Sequence, residues 1–318
     1  MNETLPRFVE RRRTDWEALA KLLDRLDQGA LTLEEIAWLD AAHRRAAADL
    51  AVATAAYPGT DALRYLNQLC ARAYQSIYTV RPERGRALKK FFAEEFPQLI
   101  RAEWKYIAAA AGLLVFGMVL DATALWVEPG LAVSLIAPDL REFVSRGKLW
   151  TDSLLEYMPP STVATSILTN NIQVTVMAFG LGLTGGLGTI YVLIANGRHI
   201  GGLVMHCAQN GLGPSILTFM SAHGPVELSI ICISGGAGLM VGQALIAPGE
   251  RTRAESLRLR AARAVRMVLG CAPFLATIGI VEGFVSPGDL FSPALKVALG
   301  SSLFVGFWAY LLRTGRTA

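Results

Sequence analysis

The chain has 318 residues, of which 53% are apolar and only 18% are charged, with a formal net charge of +4. Soluble proteins have roughly a quarter of their residues charged, so this composition argues against a wholly soluble chain. The charge is concentrated in the first third, where acids offset the bases, and this balance argues against a nucleic-acid partner.

Residues 1–104 have the pattern of a cytoplasmic helical domain. In 6–54, apolar residues recur at three- and four-residue steps among charges, which predicts two amphipathic helices. Thr32 and Glu35 have the spacing of a capping box at the start of the second helix. A third helix follows, and Pro97 should kink or restart a fourth.

Residues 105–318 predict an all-α transmembrane domain, a polytopic bundle of about six helices. Each apolar stretch approaches the roughly 20 residues that a membrane span requires. Asp121, near the end of the first stretch, is costly in lipid. The predicted spans are 106–127, 171–195, 201–221, 226–247, 267–285 and 297–312.

The charges between the spans predict the orientation, because cytoplasmic loops concentrate Lys and Arg. With the N-terminus in the cytoplasm, Arg198, the segment 251–266 and the tail 313–316 all fall on the cytoplasmic side. The opposite segments, 128–156 and 286–294, are acidic or neutral. We therefore expect a multi-pass protein of the bacterial inner membrane with both termini in the cytoplasm.

Two segments outside the spans could meet the membrane surface. The external segment, about 128–169, has the spacing of amphipathic helix, and we interpret it as a packed lid. The basic loop around Arg251, Arg253 and Arg258 can bind anionic lipid head groups. The simpler interpretation, which we favour, is that these arginines only determine the topology.

Glycines recur in two of the predicted spans. Gly180, Gly182 and Gly185 spell GxGxxG, but they lie in a long apolar stretch and not in a βαβ unit, so we reject a dinucleotide site. Gly238 and Gly242 form a GxxxG. Both sets indicate close helix contact, either within one chain or between the chains of a homodimer.

Polar side chains within the spans are the candidate site. His223 and Glu227 stand one helical turn apart at the outer end of the fourth span, and Glu282 lies at the outer end of the fifth. His206 and Asn210 belong to the third. A hydrogen-bonded structural cluster is the favoured interpretation, ahead of a proton or ion relay and then of a metal or hydrolytic site.

The chemistry of an enzyme is not visible in this pattern. A metal site would have only three ligands, and the sequence does not show which groups would hydrogen-bond to these ligands and orient them. The four cysteines show no CxxC spacing and are interpreted as small buried side chains. We therefore expect no catalytic residues, no metal and no cofactor.

Several short phrases, spread over most of the chain, resemble the stage II sporulation protein M family of bacterial membrane proteins. They are Trp16-Glu17-Ala18-Leu19, Tyr65-Leu66-Asn67, Phe96-Pro97, Asn170-Asn171-Ile172, HGPVE at 223–227, GGAGL at 235–239, PGER at 248–251 and EGFV at 282–285. The resemblance implies a multi-spanning protein without known catalytic activity. In spore formers, such proteins organise peptidoglycan-degrading enzymes. For relatives in bacteria that make no spores, the resemblance implies an association with complexes that contain AAA-type ATPases.

The leading hypothesis is therefore a non-enzymatic membrane scaffold for cell-envelope partners, either a cell-wall hydrolase or an AAA-type ATPase. The candidate residues for cytoplasmic docking are Trp16, Tyr65, Asn67 and Tyr78. Membrane lipids are further expected partners. The alternative is an ion- or proton-coupled transporter or channel that uses His223, Glu227 and Glu282.

Overall fold

Every regular element that the computed structural model describes is a helix, as the composition predicts. The chain divides into two compact units, 1–87 and 88–318. The boundary predicted at 104/105 corresponds to the start of the first span and not to this division. The described residues are 4–27, 33–78, 84–150, 160–286 and 291–315.

Among the described residues, the core of the first unit is built from α1 (Leu5–Asp27), α2 (Leu33–Ala56) and α3 (Asp61–Tyr78), in agreement with the predicted periodicity. Each contributes one apolar stripe to a shared core, because residues three and four apart lie on one helix face. Thr32, the predicted cap, lies outside the described residues. The buried core residues are Phe8, Trp16, Leu19, Leu23, Leu39, Ala42, Ala46, Ala53, Leu66, Leu69, Cys70 and Ala73.

The division between the two units falls within α4, a helix that changes its winding before the first span. α4 (Arg84–Lys90) runs into a π-helical turn, Phe91–Glu95, and α5 (Phe96–Ala102) starts anew with Pro97 in its first turn. A proline is tolerated there because the first amides of a helix have no partner within the helix. The predicted restart at Pro97 is thus confirmed.

The bundle consists of the remaining helices. Two 3-10 turns, Pro129–Leu131 and Leu181–Thr184, interrupt them. In chain order the helices are α6 (Trp104–Val127), α7 (Ala132–Leu135), α8 (Pro138–Ser145), α9 (Pro160–Gly180), α10 (Leu187–Gln209), α11 (Gly213–Ser221), α12 (Gly224–Ile246), α13 (Arg253–Phe284) and α14 (Pro293–Arg313).

Four of these helices, α6, α12, α13 and α14, are long and apolar enough to cross a membrane. α12 is the central one: 78% of its most apolar stretch is buried, against 28%, 39% and 22% for the other three. The other three keep apolar faces exposed, which is typical of helices surrounded by lipid. A helical membrane bundle is thus confirmed, while the count of about six stays a prediction.

The second and third predicted spans, 171–195 and 201–221, have the wrong bounds. α9 ends at Gly180, and the chain turns back through Gly185 and Gly186, whose φ angles are +71° and +87°. Glycine adopts this left-handed conformation without the steric cost that other residues incur. α10 then continues without a break through the residues that the prediction assigned to a loop.

Arg198 is the clearest correction, because it lies in the middle of α10 and not in a cytoplasmic loop. Its Nε donates to Oδ1 of Asp121 on α6 at 2.8 Å, and the Asp121 side chain is buried. A charge is tolerated within a bundle when an opposite charge satisfies it. The pair therefore explains both the arginine in α10 and the acid in α6.

The predicted basic loop 251–266 is mostly helix. α13 begins at Arg253, and Oγ1 of Thr252 caps it by accepting from the Glu255 backbone N–H at 3.2 Å. The later arginines of this segment bind groups in the first turn of α6 or in the residues that precede it. The pairs are Arg260 with Tyr106, Arg263 with Glu103 and Arg266 with Glu95.

The segment between α6 and α9 is shorter than the predicted 128–169, because Pro160 starts α9. Val144 and Leu149 pack against Leu203, Cys207 and Phe219 near the C-terminal ends of α10 and α11. The described part of the segment therefore covers this end of the bundle, as the lid interpretation predicts.

α5 and the end of α14 are joined by side-chain bonds to backbone carbonyls. Arg101 donates to the carbonyl oxygen of Leu311 and, at 2.8 Å, to that of Thr314. Gln98 Nε2 donates to the Gly315 carbonyl oxygen at 2.7 Å. These bonds satisfy carbonyls that the end of a helix leaves without an intrahelical donor.

Glycines bring the bundle helices into backbone contact. A Cβ added at Gly117 of α6 would meet the carbonyl oxygen of Ile194 on α10. The segment between α9 and α10 meets α12 in the same way, since Gly182 lies against Gly238 and Gly186 against Gly242. Close contact within one chain is thus confirmed for Gly182, Gly238 and Gly242, whereas a Cβ added at Gly180 would meet nothing within 4 Å.

Two glycines of α6 provide a matched test of this packing. Gly117→Ala should destabilise the bundle by about 1–3 kcal/mol, because the methyl group must displace the backbone of α10. Gly112→Ala meets nothing within 4 Å and should be neutral or stabilise by up to about 1 kcal/mol. The free energy of unfolding in mild detergent measures both, and equal effects would contradict the packing described.

Candidate functional site

Three ionisable side chains meet where α12 begins and α13 ends. His223 immediately precedes α12, Glu227 lies in its first turn, and Glu282 lies in the last turn of α13. His223 Nε2 is 3.4 Å from Oε1 of Glu282 and 4.0 Å from Oε2 of Glu227. One ligand atom from each of the three residues lies within 4.8 Å of the others. The structure thus brings together the three residues on which the site prediction centred.

A second layer of polar groups orients this cluster. Asn171 Nδ2 of α9 donates to Oε2 of Glu282 at 2.9 Å, and Asn171 is itself buried. His223 Nδ1 lies 2.8 Å from Oγ of Ser286, just after α13. Lys296 Nζ of α14 donates to the Ser286 carbonyl oxygen at 2.9 Å. Four helices therefore contribute to one polar assembly.

A cavity of about 140 Å³ adjoins the three ionisable residues. Trp150 of the lid, His199 of α10 and Phe219 of α11 line its other walls. The Phe219 ring packs edge-on against the His223 imidazole, with the ring centroids 5.1 Å apart. The cluster thus has polar partners on one side and space for a small ligand on the other.

The chemistry available to this cluster follows from its charges. Two carboxylates face one imidazole, so the group can share a proton or hold a cation. Buried charges must be paired or coordinated, because burial without a partner costs far more than folding can offset. The arrangement is therefore suited to binding positive charge.

His206 and Asn210 belong to a different part of the bundle. Both lie at the C-terminal end of α10, where Asn210 Nδ2 donates to the His206 carbonyl oxygen at 2.8 Å. Neither is among the described residues that line the cavity. Their bond is local, and the structure does not bring them to His223.

Sequence reasoning did not assign Asn171, Ser286, Lys296 or His199 to this site. Asn171 offered one signal, since it is a polar residue within a predicted span. Ser286 lies 63 positions from His223, and Lys296 lies 10 positions from Ser286, so helical spacing in the sequence links neither pair.

The N-terminal unit has a surface hollow of about 730 Å³. Leu5, Val9 and Trp16 give it an apolar floor, and Arg13 and Glu17, paired at 2.7 Å, line its rim. We refer to it as the α1/α3 hollow, because Tyr65 and its neighbours on α3 complete it. An exposed hollow of this kind fits an apolar side chain with polar flanks.

The charges around the α1/α3 hollow act on each other's ionisation. Partial burial, and next the negative charge of Glu17, raise the pKa of Tyr65 above its usual value. The hydrogen bond from Arg13 lowers the pKa of Glu17 and raises that of Arg13. At neutral pH, Tyr65 therefore presents a hydroxyl that can donate, beside an ionised Arg13–Glu17 pair.

The four predicted docking residues have different environments. Trp16 is only 3% exposed, and its Nε1 donates to Oδ2 of Asp49 at 2.9 Å, so it is chiefly a core residue. Tyr65 is 41% exposed, and Asn67 is also exposed. The side chain of Tyr78 lies outside the described residues. Of the four, Tyr65 is the exposed side chain at the α1/α3 hollow.

The arginines predicted to face lipid remain exposed, although Arg253 and Arg258 lie in a helix and not in a loop. Arg251 precedes α13 and lies 3.9 Å from Glu255, while Arg253 and Arg258 lie in its first two turns. All three have exposed side chains.

Comparison with known protein families gives two matches. Residues 107–287, more than half of the chain, match the family described as stage II sporulation protein M. Residues 6–79 match a family described as a domain of unknown function, DUF8413. The curated proteins and the solved structures contain no match to this chain.

Two adjacent asparagines test the contribution of the second layer. Asn171→Ala should cost about 1–3 kcal/mol, because it leaves Oε2 of buried Glu282 without its donor. Asn170→Ala is the matched control: Asn170 is exposed, and its loss removes a long bond from its Nδ2 to Oδ1 of Asn171 at 3.3 Å, so stability should change by less than about 0.5 kcal/mol. Urea unfolding in mild detergent measures the difference, and similar losses in both variants would refute the assignment.

Proposed function

Because the chain belongs to the stage II sporulation protein M family, we propose that it is a non-enzymatic membrane scaffold of the bacterial cell envelope. Its N-terminal unit binds a partner protein, and its bundle fixes that partner at the membrane. The partner is a cell-wall hydrolase or an AAA-type ATPase, the classes that the family resemblance implies.

The observation that carries this proposal is the separate N-terminal unit with its α1/α3 hollow. The unit has its own core, and residues 6–79 match a family of their own. The apolar floor of the hollow is bordered by Arg13, Glu17 and Tyr65. Interfaces of moderate size combine such an apolar centre with a polar rim, and tyrosine and arginine are enriched in them.

The proposed location is the inner membrane, with both termini in the cytoplasm. The start of α6, the first turns of α13 and the end of α14 lie at one end of the bundle, as the contacts of Arg260 and Arg101 require. This end carries most of the arginines of the bundle. Under the positive-inside rule it faces the cytoplasm.

Anionic lipids are proposed as further ligands at the same end. Arg251, Arg253 and Arg258 are exposed around the start of α13. Each basic side chain near an anionic surface contributes about 1 kcal/mol of attraction, so the three together favour acidic head groups.

Partner capture with paired tyrosine variants tests the scaffold proposal. The tagged protein is purified from native membranes in mild detergent, and mass spectrometry identifies and quantifies what accompanies it. We expect a cell-wall hydrolase or an AAA-type ATPase near one-to-one. Tyr65→Ala should reduce its recovery at least about fivefold, equivalent to roughly 1 kcal/mol, because an aromatic residue at the hollow is lost.

Tyr74→Ala is the control for this experiment. Tyr74 is 60% exposed on the same helix but is not among the residues that line the hollow, so recovery should not change. Recovery of a stable, monodisperse protein without a partner would argue against the scaffold. Capture that is equal in both variants would argue against the hollow as the docking site.

An ion- or proton-coupled transporter is the second candidate, because His223, Glu227 and Glu282 line one part of a cavity within the bundle. Groups that exchange protons or cations are expected beside such a space. The Asp121–Arg198 pair would then be a second charged point in the bundle.

Flux through reconstituted vesicles tests the transporter. If it is correct, wild-type protein should carry protons or cations, and Glu282→Gln should abolish the flux because it removes the charge while preserving size. Glu142→Gln, an exposed acid of the lid paired with Arg146, should leave flux unchanged. Wild-type vesicles that leak no faster than empty ones would exclude this candidate.

A further inference from the structure

We propose that His223, Glu227 and Glu282 form a binding site for one divalent transition-metal ion of the zinc class. The proposal goes beyond the scaffold function and does not depend on it. It also departs from the expectation, drawn above from the sequence, that the protein binds no metal.

The spacing of the ligand atoms fits one ion. Zinc lies about 2.0–2.2 Å from imidazole nitrogen and carboxylate oxygen, so two ligands in a tetrahedral site are about 3.4 Å apart. His223 Nε2 is 3.4 Å from Glu282 and 4.0 Å from Glu227, and all three ligand atoms lie within 4.8 Å. Small side-chain rotations of the glutamates would close the remaining difference.

The charge balance of the cluster also favours a cation. Two carboxylates in a buried site repel each other, and His223 supplies at most one positive charge. The ammonium of Lys296 belongs to the second layer, where it donates to the Ser286 carbonyl oxygen, and it is not one of the three ligand groups. A divalent ion balances both carboxylates while the imidazole stays neutral, which is the state in which histidine binds metal.

The second layer is the feature that sequence reasoning could not supply. Metal-binding histidines use their other ring nitrogen in a hydrogen bond that fixes the tautomer, and ligating carboxylates are hydrogen-bonded in turn. His223 Nδ1 lies 2.8 Å from Ser286 Oγ. When Nδ1–H donates to this hydroxyl, Nε2 carries the lone pair, and it faces the two glutamates. Asn171 holds the second oxygen of Glu282 at 2.9 Å.

The ligand set selects the class of ion. One nitrogen and two oxygen donors suit zinc and similar transition metals, whereas magnesium and calcium prefer oxygen alone. Three protein ligands leave a fourth position, and the cavity of about 140 Å³ adjoins the ligands. A cavity one tenth of this size can hold a water, so a water molecule can complete the coordination.

Zinc binding to the full chain tests the site. Untagged protein in detergent is stripped with a chelator, and its affinity for ZnCl₂ is measured by competition with a chromogenic zinc chelator. We expect about one zinc per chain and at least about a tenfold loss of affinity in Glu227→Gln and in Glu282→Gln. Glu142→Gln, which removes an exposed acid of the lid, should bind like the wild type.

Two further measurements keep the test decisive if the glutamine variants do not fold. Ser286→Ala leaves all three ligands in place and should weaken zinc binding by about 10- to 100-fold through the lost second-layer bond. Zinc should raise the melting temperature of the stripped wild type, whereas magnesium should not. No zinc uptake by the wild type, or equal uptake by folded wild type and Glu282→Gln, would overturn the proposal.

Discussion

Backbone contact with the central helix α12 determines how the other bundle helices can be arranged. Apolar side chains gain little by leaving lipid for a protein interior, so membrane helices associate through close packing and internal hydrogen bonds. The glycines of α12 allow that approach: Gly236 lies against the start of α6, Gly238 against α9, and Gly242 against the Gly185–Gly186 turn. Three separate segments thus reach one helix, which is why α12 is the most buried.

The same close approach determines which polar groups can meet. α6 and α10 run in the same direction and touch through Gly117 and Gly201. Beside this contact, Arg198 of α10 binds Asp121 of α6. At the other site, α12 and α13 bring Glu227 and Glu282 to one imidazole. At both places, polar side chains from different helices meet and satisfy one another inside the bundle.

Local patterns in the sequence predicted local structure well. Apolar residues at three- and four-residue steps predicted the first three helices, and four apolar stretches predicted α6, α12, α14 and the membrane part of α13. The i, i+4 spacing also predicted that His223 and Glu227 share a face. The wrong bounds of the second and third predicted spans came from the local glycine turn at 185–186. The other errors arose where a distant residue decides the outcome. Arg198 resembles a loop residue until Asp121, 77 positions earlier, is known to neutralise it. The bond from Asn171 to Glu282 spans 111 positions, so no sequence window contains both.

The bonds from Arg101 bear on how the protein is made. Arg101 precedes the first spanning helix, whereas the carbonyl oxygens that it binds follow 210 and 213 residues later at the end of α14. During synthesis, the early helices enter the membrane long before those carbonyls exist. Until then the guanidinium has to find other acceptors, such as water or lipid phosphate. The final closure of this end of the bundle is consequently a late event in biogenesis, completed only after the ribosome has delivered the last helix to the insertion machinery.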